Sequence, residues 1–262
     1  IQDPTAVAQR DSAYWVSVAQ QMATKFGSRG GGLYTVGYID VNDTIRLPNE
    51  LSSVVSGMSY VKIDSAGNQA SPETMLTAFD AAGLDIILAV EPGRANVVQL
   101  ATAILNKYKN HPSVKGFGVD NEWYMSENNV MSASTATALR NAVTAVNPNY
   151  KTAIKHYDSS KLPKGIASIT YLTDTCGFSS RTTAVSDYVS WANTFAGSEI
   201  GYQFGYDKME CGTPDDSLWW KPMGTGGDPA LLLTQDIKAK VPAANIYSVY
   251  WADFTILTQF PK

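Results

Sequence analysis

Residues 85–122, DIILAVEPGRANVVQLATAILNKYKNHPSVKGFGVDNE, decide the fold. The stretch begins and ends with short apolar runs, DIILAVE (85–91) and VKGFGVDNE (114–122). Between them lies RANVVQLATAILNKYKN (94–110), whose apolar residues recur at helical spacing. Mostly apolar strands separated by a helix are typical of a sheet that is covered on both faces. The stretch therefore predicts an α/β fold with parallel strands.

The same alternation continues along the chain. Helical patterns separate most of the strand-like runs, and SPET (71–74) has the spacing of a capping box. The predicted strands are 33–40, 58–64, 85–91, 114–122, 151–158, 167–174, 198–207 and 245–254. The predicted helices are 3–26, with Asp3 as its N-cap, and 47–56, 71–83, 94–110, 132–146, 181–195 and 228–241.

Eight strands predict a (β/α)₈ TIM barrel, as one domain over residues 1–262 with an extra helix at its N-terminus. A doubly wound sheet is the alternative. It stays open because SSKLPKGI (159–166), between the fifth and sixth strands, is too short for a full crossover helix.

The composition limits the classes of partner. The chain has 262 residues, of which 44% are hydrophobic and 17% charged, and its formal net charge is −4. There is no basic stripe, so we expect neither nucleic acid nor a membrane as a partner, and no apolar run approaches the roughly 18 residues of a membrane-spanning helix. No zinc motif, phosphate-binding loop or dinucleotide fingerprint occurs, so we expect no metal and no cofactor. We expect a monomer.

The chain has two cysteines, Cys176 and Cys211, and two interpretations of them are possible. They are either buried free thiols or one disulfide, since both follow predicted strands that would be neighbours in a barrel. The low charge, the abundant Ser, Thr, Asn and Tyr, and a first residue other than Met favour an exported protein, in which a disulfide persists. We therefore expect a secreted, extracellular protein.

Acidic residues stand at the end of nearly every predicted strand. The carboxyl ends of barrel strands carry the chemistry, and a ring of carboxylates there suits a sugar site or a cation site. A single acid at such a place is more often a helix cap or a solvated side chain. The acids are Asp40, Asp64, Glu91, Asp120 with Glu122, Asp158, Asp174, Asp207 and Asp253.

The fourth predicted strand carries two of these acids. Side chains alternate along a strand, so Asp120 and Glu122 share one face with the two glycines of VKGFGVDNE. Two close carboxyls do not both ionise readily, so one keeps its proton to higher pH. Glu122 can then act as a general acid at neutral pH, which cleavage of a glycosidic bond requires. In the alternative interpretation, both acids form ion pairs with a lysine such as Lys62 or Lys155.

The segment GFGVDNEW (116–123) resembles the fourth-strand signature D-x-x-D-x-D-x-E of family 18 glycoside hydrolases, the chitinases and endo-β-N-acetylglucosaminidases. The match covers Asp120 and Glu122, whereas Lys115 and Gly118 replace the first two acids. The resemblance implies a retaining, substrate-assisted hydrolase of an N-acetylhexosamine polysaccharide or glycan. In it, Glu122 protonates the leaving oxygen and Asp120 orients the N-acetyl group that attacks the sugar carbon.

Two weaker similarities extend the resemblance. FGYD (204–207) is similar to the family's M-x-Y-D, although it falls on the seventh predicted strand rather than the sixth, and it implies that Tyr206 holds an acetyl oxygen. Trp251 matches the tryptophan that forms the floor of the family's sugar site. The residues predicted to contact substrate are Tyr206, Gln203, Trp251, Trp123, Asp207, Asp40, Glu91 and Asp253.

Three alternatives remain open. Glu122 can work with Asp253, Glu91 or Asp207 as a direct pair of catalytic carboxylates. The D-x-E pattern is also similar to that of family 25 muramidases. Finally, a barrel without the first two acids of the signature can be a carbohydrate-binding protein without activity.

Overall fold

The computed structural model of the chain describes residues 11–65, 71–125, 129–204 and 228–251. Within these ranges, strands and helices alternate along most of the chain, as the sequence predicts. The strands are β1 (Gly31–Ile39), β2 (Ile45–Pro48), β3 (Val61–Asp64), β4 (Asp85–Val90), β5 (Val114–Asp120), β6 (Lys151–Lys155), β7 (Ile169–Thr173), β8 (Glu199–Phe204) and β9 (Asn245–Trp251). The α-helices are α1 (Ser12–Phe26), α2 (Pro72–Ala82), α3 (Val97–Tyr108), α4 (Ala133–Val146), α5 (Arg181–Thr194) and α6 (Pro229–Lys240).

The described strands form one mostly parallel sheet in the order β3-β2-β1-β4-β5-β6-β7-β8-β9. Strands β1 and β4 to β9 are parallel neighbours, β2 is antiparallel to β1, and β3 is parallel to β2. The predicted α/β class with a parallel sheet is therefore confirmed. Pairing between β9 and β1 is not found among the described strands, so closure into a barrel stays a prediction.

Two predictions near the start of the sheet are wrong. Residues 47–56, predicted as a helix, contain the end of β2 and a 3-10 turn at Asn49–Leu51. Strand β3, predicted as the second strand of the barrel, instead pairs with β2 at the edge of the described sheet. Its direction is opposite to that of β1. The reason is burial with a period of two, because Ile45 and Leu47 are buried on either side of the exposed Arg46.

The predicted helix starts are only partly correct. Helix α1 begins at Ser12, where Asp11 caps it by accepting the backbone N–H of Tyr14 at 2.9 Å, and the predicted cap Asp3 lies outside the described residues. The capping box predicted at Ser71 is wrong, because this side chain makes no cap hydrogen bond. Its hydroxyl donates instead to the carboxylate of Glu50, which ties the start of α2 to the turn after β2.

The sheet separates a large apolar core from a small one. On the helix side, Phe117 and Val119 of β5 belong to the large core. The small core on the other face consists of Ile87, Ala153 and Leu172, with Leu33 of β1 and Tyr250 of β9 packed against it. Since β1 and β9 are the first and last parallel strands, both ends of the parallel run approach the same cluster, and the sheet curls around it.

Two further expectations concern cysteine chemistry and membranes. Cys176 is disulfide-bonded, which favours the disulfide over two free thiols, and Cys211 lies outside the described residues. None of the helices in the described ranges is long and apolar enough to cross a membrane.

The two glycines of β5 allow a matched test of the packing. A Cβ atom on Gly116 would lie 2.1 Å from the carbonyl oxygen of Lys151, so Gly116→Ala must push β5 and β6 apart. A Cβ on Gly118 would lie 3.5 Å from its nearest neighbours, an ordinary contact. We expect Gly116→Ala to lower the free energy of unfolding by roughly 2–3 kcal/mol and Gly118→Ala to change it by less than about 1 kcal/mol, measured by urea denaturation. Equal losses in the two variants would contradict this packing.

Candidate active site

The alternation of side chains places a charged layer directly above the small apolar core. Lys155 lies two residues after Ala153 on β6, and Asp174 lies two residues after Leu172 of β7. Asp120 likewise lies two residues after the second glycine of β5. Residues two apart on a strand share a face, so all three charged side chains continue the face of the apolar cluster. They meet at the carboxyl ends of three adjacent strands.

Lys155 bridges the two aspartates. Its Nζ lies 2.7 Å from Oδ2 of Asp120 and 2.7 Å from Oδ2 of Asp174. The register brings Asp120 directly opposite Lys155 on the neighbouring strand. The side chain of Lys155 is only 12% exposed and that of Asp174 only 5%. The ion pairs are therefore largely shielded from water, and each buried charge is stabilised by its oppositely charged partners.

Glu122 reaches this group through a turn. The strand predicted to run to residue 122 ends at Asp120, and Asn121–Trp123 form a 3-10 turn. Asp120 caps the turn by accepting the backbone N–H of Glu122 on Oδ1 at 3.3 Å. One carboxylate oxygen from each of Asp120, Glu122 and Asp174 lies within 4.8 Å of the other two. The predicted proximity of Asp120 and Glu122 is thus present, although a turn rather than strand alternation produces it.

The surroundings of Glu122 favour its protonated form. Burial, followed by the charges of Asp174 and Asp120, raises the pKa of Glu122 to about 7, while Lys155 acts in the opposite direction. The pKa of Asp120 is also raised, mainly by burial, and its ion pair with Lys155 opposes that rise. Within the described part of the chain, no ion pair to Glu122 is found. Glu122 is therefore suited to give and take a proton near neutral pH.

Glu91 is a second protonatable carboxyl at the same end of the sheet. It follows β4, which neighbours β5, and its Oε2 accepts the backbone N–H of Ile39 at 3.2 Å. Burial and then the charge of Asp120 raise the pKa of Glu91 to about 7. The structure therefore brings Glu91 to the same group, as the ring of strand-end acids predicts.

Three clustered carboxylates also raise the question of a divalent cation. The ammonium of Lys155 contacts two of the three and would repel a second cation beside them. The cluster is therefore better suited to holding a proton than to binding a divalent cation. Within the described residues, Oδ1 of Asp174 is buried without a hydrogen-bond partner, which leaves one acceptor for a substrate N–H or O–H.

Two other predicted site residues, Asp40 and Trp123, lie among the described residues near the start and the middle of the sheet. Asp40 pairs with Lys62 at 2.9 Å and with Arg46 at 3.5 Å, and the hydrogen bond from Lys62 holds the pKa of Asp40 below its ordinary value. Trp123 is half-buried in the turn with Glu122, and its carbonyl oxygen accepts the N–H of Gly93 at 2.9 Å.

Towards the end of the chain, the structure gives less detail. Gln203 of β8 is half-buried and pairs with Tyr250 in the register of β9. Trp251 ends β9, and its side chain lies outside the description. Tyr206, Asp207 and Asp253 lie outside the described residues, as do the tryptophans at 219 and 220.

The sequence alone does not single out Lys155 and Asp174. In the sequence, Asp174 is one of several strand-end acids, and Lys155 is only a competing ion-pair partner for the two acids of β5. The signal that could have found them is the alternation on β6 and β7, which places both residues on the face that carries Asp120.

Comparisons with known proteins add little. No protein-family model and no curated protein matches the chain. Among solved structures, the chain is similar to the crystal structure of an arabinofuranosidase, with 10% sequence identity and a TM-score of 0.39. The match covers 71% of this chain and 47% of that one, so this chain spans about half the length of that protein. So distant a likeness carries no argument about activity, and the resemblance to family 18 rests on β5 and its turn.

The raised pKa of Glu122 predicts how stability depends on pH. The folded protein binds this proton more tightly than the unfolded chain, whose glutamate titrates near its ordinary value of about 4.5. The resulting stability is complete below that value and is lost as the pH rises through about 7. We expect the free energy of unfolding to fall between pH 5 and pH 8.

Glu122→Gln should weaken this dependence, because glutamine cannot ionise. At pH 8 the variant should be more stable than the wild type by on the order of 1–2 kcal/mol. Asp236→Asn, which changes a partly exposed aspartate on α6 that pairs with Arg181, should keep the wild-type slope. Urea denaturation at four pH values measures all three proteins, and a wild-type slope in Glu122→Gln would contradict the assigned environment.

Proposed function

We propose that this protein is a retaining glycoside hydrolase in which Glu122 is first the general acid and then the general base. One observation carries the proposal. The carboxyl of Glu122 stands beside those of Asp120 and Asp174, with oxygens within 4.8 Å, and its pKa is about 7. A carboxyl that holds its proton at neutral pH can give it to the oxygen of a glycosidic bond as that bond breaks.

The substrate we propose is an N-acetylhexosamine polysaccharide or glycan. Asp120 accepts the N–H of the acetamido group and turns its carbonyl oxygen towards the anomeric carbon. That oxygen forms a bond to the carbon while the glycosidic bond breaks and Glu122 protonates the leaving oxygen. Glu122, now deprotonated, takes a proton from a water molecule as the water attacks the same carbon and the bond to the acetamido oxygen breaks. This restores the acetamido group and protonated Glu122, and the two displacements together retain the configuration.

A second candidate mechanism uses two protein carboxylates directly. It is favoured by Asp174, whose carboxylate lies within 4.8 Å of that of Glu122. A separation of roughly 5 Å is typical of a retaining pair, in which one carboxylate is the nucleophile. Glu91, beside Asp120, is the other described acid that can take this role. This route needs no N-acetyl group, so the choice of substrate separates it from the first.

The proposed architecture is the predicted barrel. Its support is that Leu33 and Tyr250 pack against one cluster, and that Lys25 of α1 pairs at 3.3 Å with Asp228 at the start of α6. Both observations bring the first and last parallel strands towards each other. We also propose that the protein acts as a secreted monomer, and the disulfide at Cys176 supports an oxidising location.

The activity test compares wild type, Glu122→Gln and Glu73→Gln on chitin-type and peptidoglycan-type oligosaccharides. We expect Glu122→Gln to lower kcat/KM at least about 10³-fold, because glutamine cannot donate the proton. Glu73→Gln should behave as wild type. Product formation is followed by chromatography. Unchanged hydrolysis by Glu122→Gln would exclude Glu122 as the acid, whereas binding without products by the wild type would indicate a carbohydrate-binding protein.

A matched pair of substrates separates the two mechanisms. Chitotetraose and cellotetraose share β-1,4 linkages and differ at C2, where only chitotetraose carries an acetamido group. We expect kcat/KM for chitotetraose to exceed that for cellotetraose at least about 10²-fold, since the acetamido oxygen is the nucleophile. Comparable rates, together with a loss of activity in Asp174→Asn, would favour the two-carboxylate route.

A further inference from the structure

An exposed aromatic side chain stands at the edge of the charged group. Tyr157 is 54% exposed and follows Lys155 by two residues, so their Cα atoms are at most about 7 Å apart. Strand β6 lies between β5 and β7 in the sheet. Tyr157 therefore emerges between the turn that carries Glu122 and the segment that begins with Asp174.

The backbone and ring of Tyr157 are held in place. The hydroxyl of Thr175 donates to the carbonyl oxygen of Tyr157 at 3.2 Å, which joins the segments after β6 and β7. The ring centroid lies 4.6 Å from that of His156, at an interplanar angle of 53°. His156 is buried, and its Nδ1 accepts the backbone N–H of Asp158 at 2.9 Å. A ring supported in this way loses little freedom when a ligand covers it.

His156 connects this ring to the charged group. Burial lowers the pKa of His156, and the charges of Asp174, Asp158, Lys161 and Lys155 also act on it. The imidazole therefore lies close to the ion pairs around Lys155, and the ring of Tyr157 packs against that imidazole. The exposed ring of Tyr157 is thus linked to the charged group through one buried imidazole.

We propose that Tyr157 is a stacking platform for the sugar unit next to the cleaved bond. This inference rests on the proposed function and adds a subsite to it. The ligand class is a pyranose, whose apolar ring face packs against an aromatic ring while its hydroxyl groups stay in water. A large exposed ring beside a half-buried acid serves such a ligand, since the ring adds contact area without adding charge to a crowded electrostatic site.

The test uses calorimetric binding of chitotetraose and cellotetraose to Glu122→Gln, so that hydrolysis does not consume the ligand. Adding Tyr157→Ala should raise the dissociation constant about tenfold. Tyr157→Phe should keep it within about twofold, because the ring is retained. Tyr60→Ala, which removes a tyrosine that is 50% exposed next to β3, should leave it unchanged.

Three results would overturn the platform: equal binding with and without the ring, equal losses in the Ala and Phe variants, or no binding of either tetrasaccharide by Glu122→Gln. The proposed function fails on a different measurement, the hydrolysis rate of Glu122→Gln in the absence of any change at Tyr157. Stacking is read from dissociation constants and catalysis from products, so the two failures are distinguishable.

Discussion

The buried bridge from Lys155 to two aspartates is the constraint on which the site depends. Lys155 stands on the middle strand of three, and a carboxylate from either side lies 2.7 Å from its Nζ. Removing one member of a buried ion pair lowers the free energy of unfolding by about 3–5 kcal/mol. The bridge therefore stabilises the packing of the three strand ends. Asp120 has a second task, because its other oxygen caps the turn that presents Glu122. One carboxylate thus fixes the charge pattern and the geometry of the proposed acid.

The same bridge divides the acids into two kinds. Asp120 and Asp174 share one ammonium, whereas Glu122 and Glu91 have no cation of their own among the described residues. Burial disfavours every charge in the group, and the two aspartates add repulsion to whichever carboxyl is left unpaired. Glu91 and Glu122, for which no ion pair is found among the described residues, are therefore both partly protonated near neutral pH. The placement of Lys155 beside Asp120 and Asp174 therefore leaves Glu122 able to hold a proton near neutral pH, as a general acid would need.

Sequence patterns predicted the parts of this arrangement that depend on local periodicity. The βαβ stretch at 85–122 predicted parallel strands, and alternation along β5 predicted that Asp120 faces the site. Patterns failed where partners distant in sequence decide the outcome. Ser71 has the spacing of a cap but donates to Glu50, 21 residues away. The run 47–56 has helical composition, yet burial against β1 makes its start a strand. The sequence also offered Lys155 as a partner for both acids of β5, and only the fold shows that it bridges Asp120 and Asp174.

The two ends of the sheet show why charge at a strand end does not by itself mark a site. At the amino ends, Lys151 pairs with Glu199 at 2.5 Å, a contact shorter than the two of 2.7 Å that Lys155 makes. The side chain of Lys151 is 38% exposed, so water screens this pair more than it screens the pairs of Lys155. At the carboxyl ends, the pairs around Lys155 stand on an apolar floor with little access to water, and their fields reach Glu122 and Glu91. Both ends of the sheet carry ion pairs, but only at the carboxyl ends are the pairs buried. Burial, rather than the number of charged residues, is therefore what allows a carboxyl there to hold a proton near neutral pH.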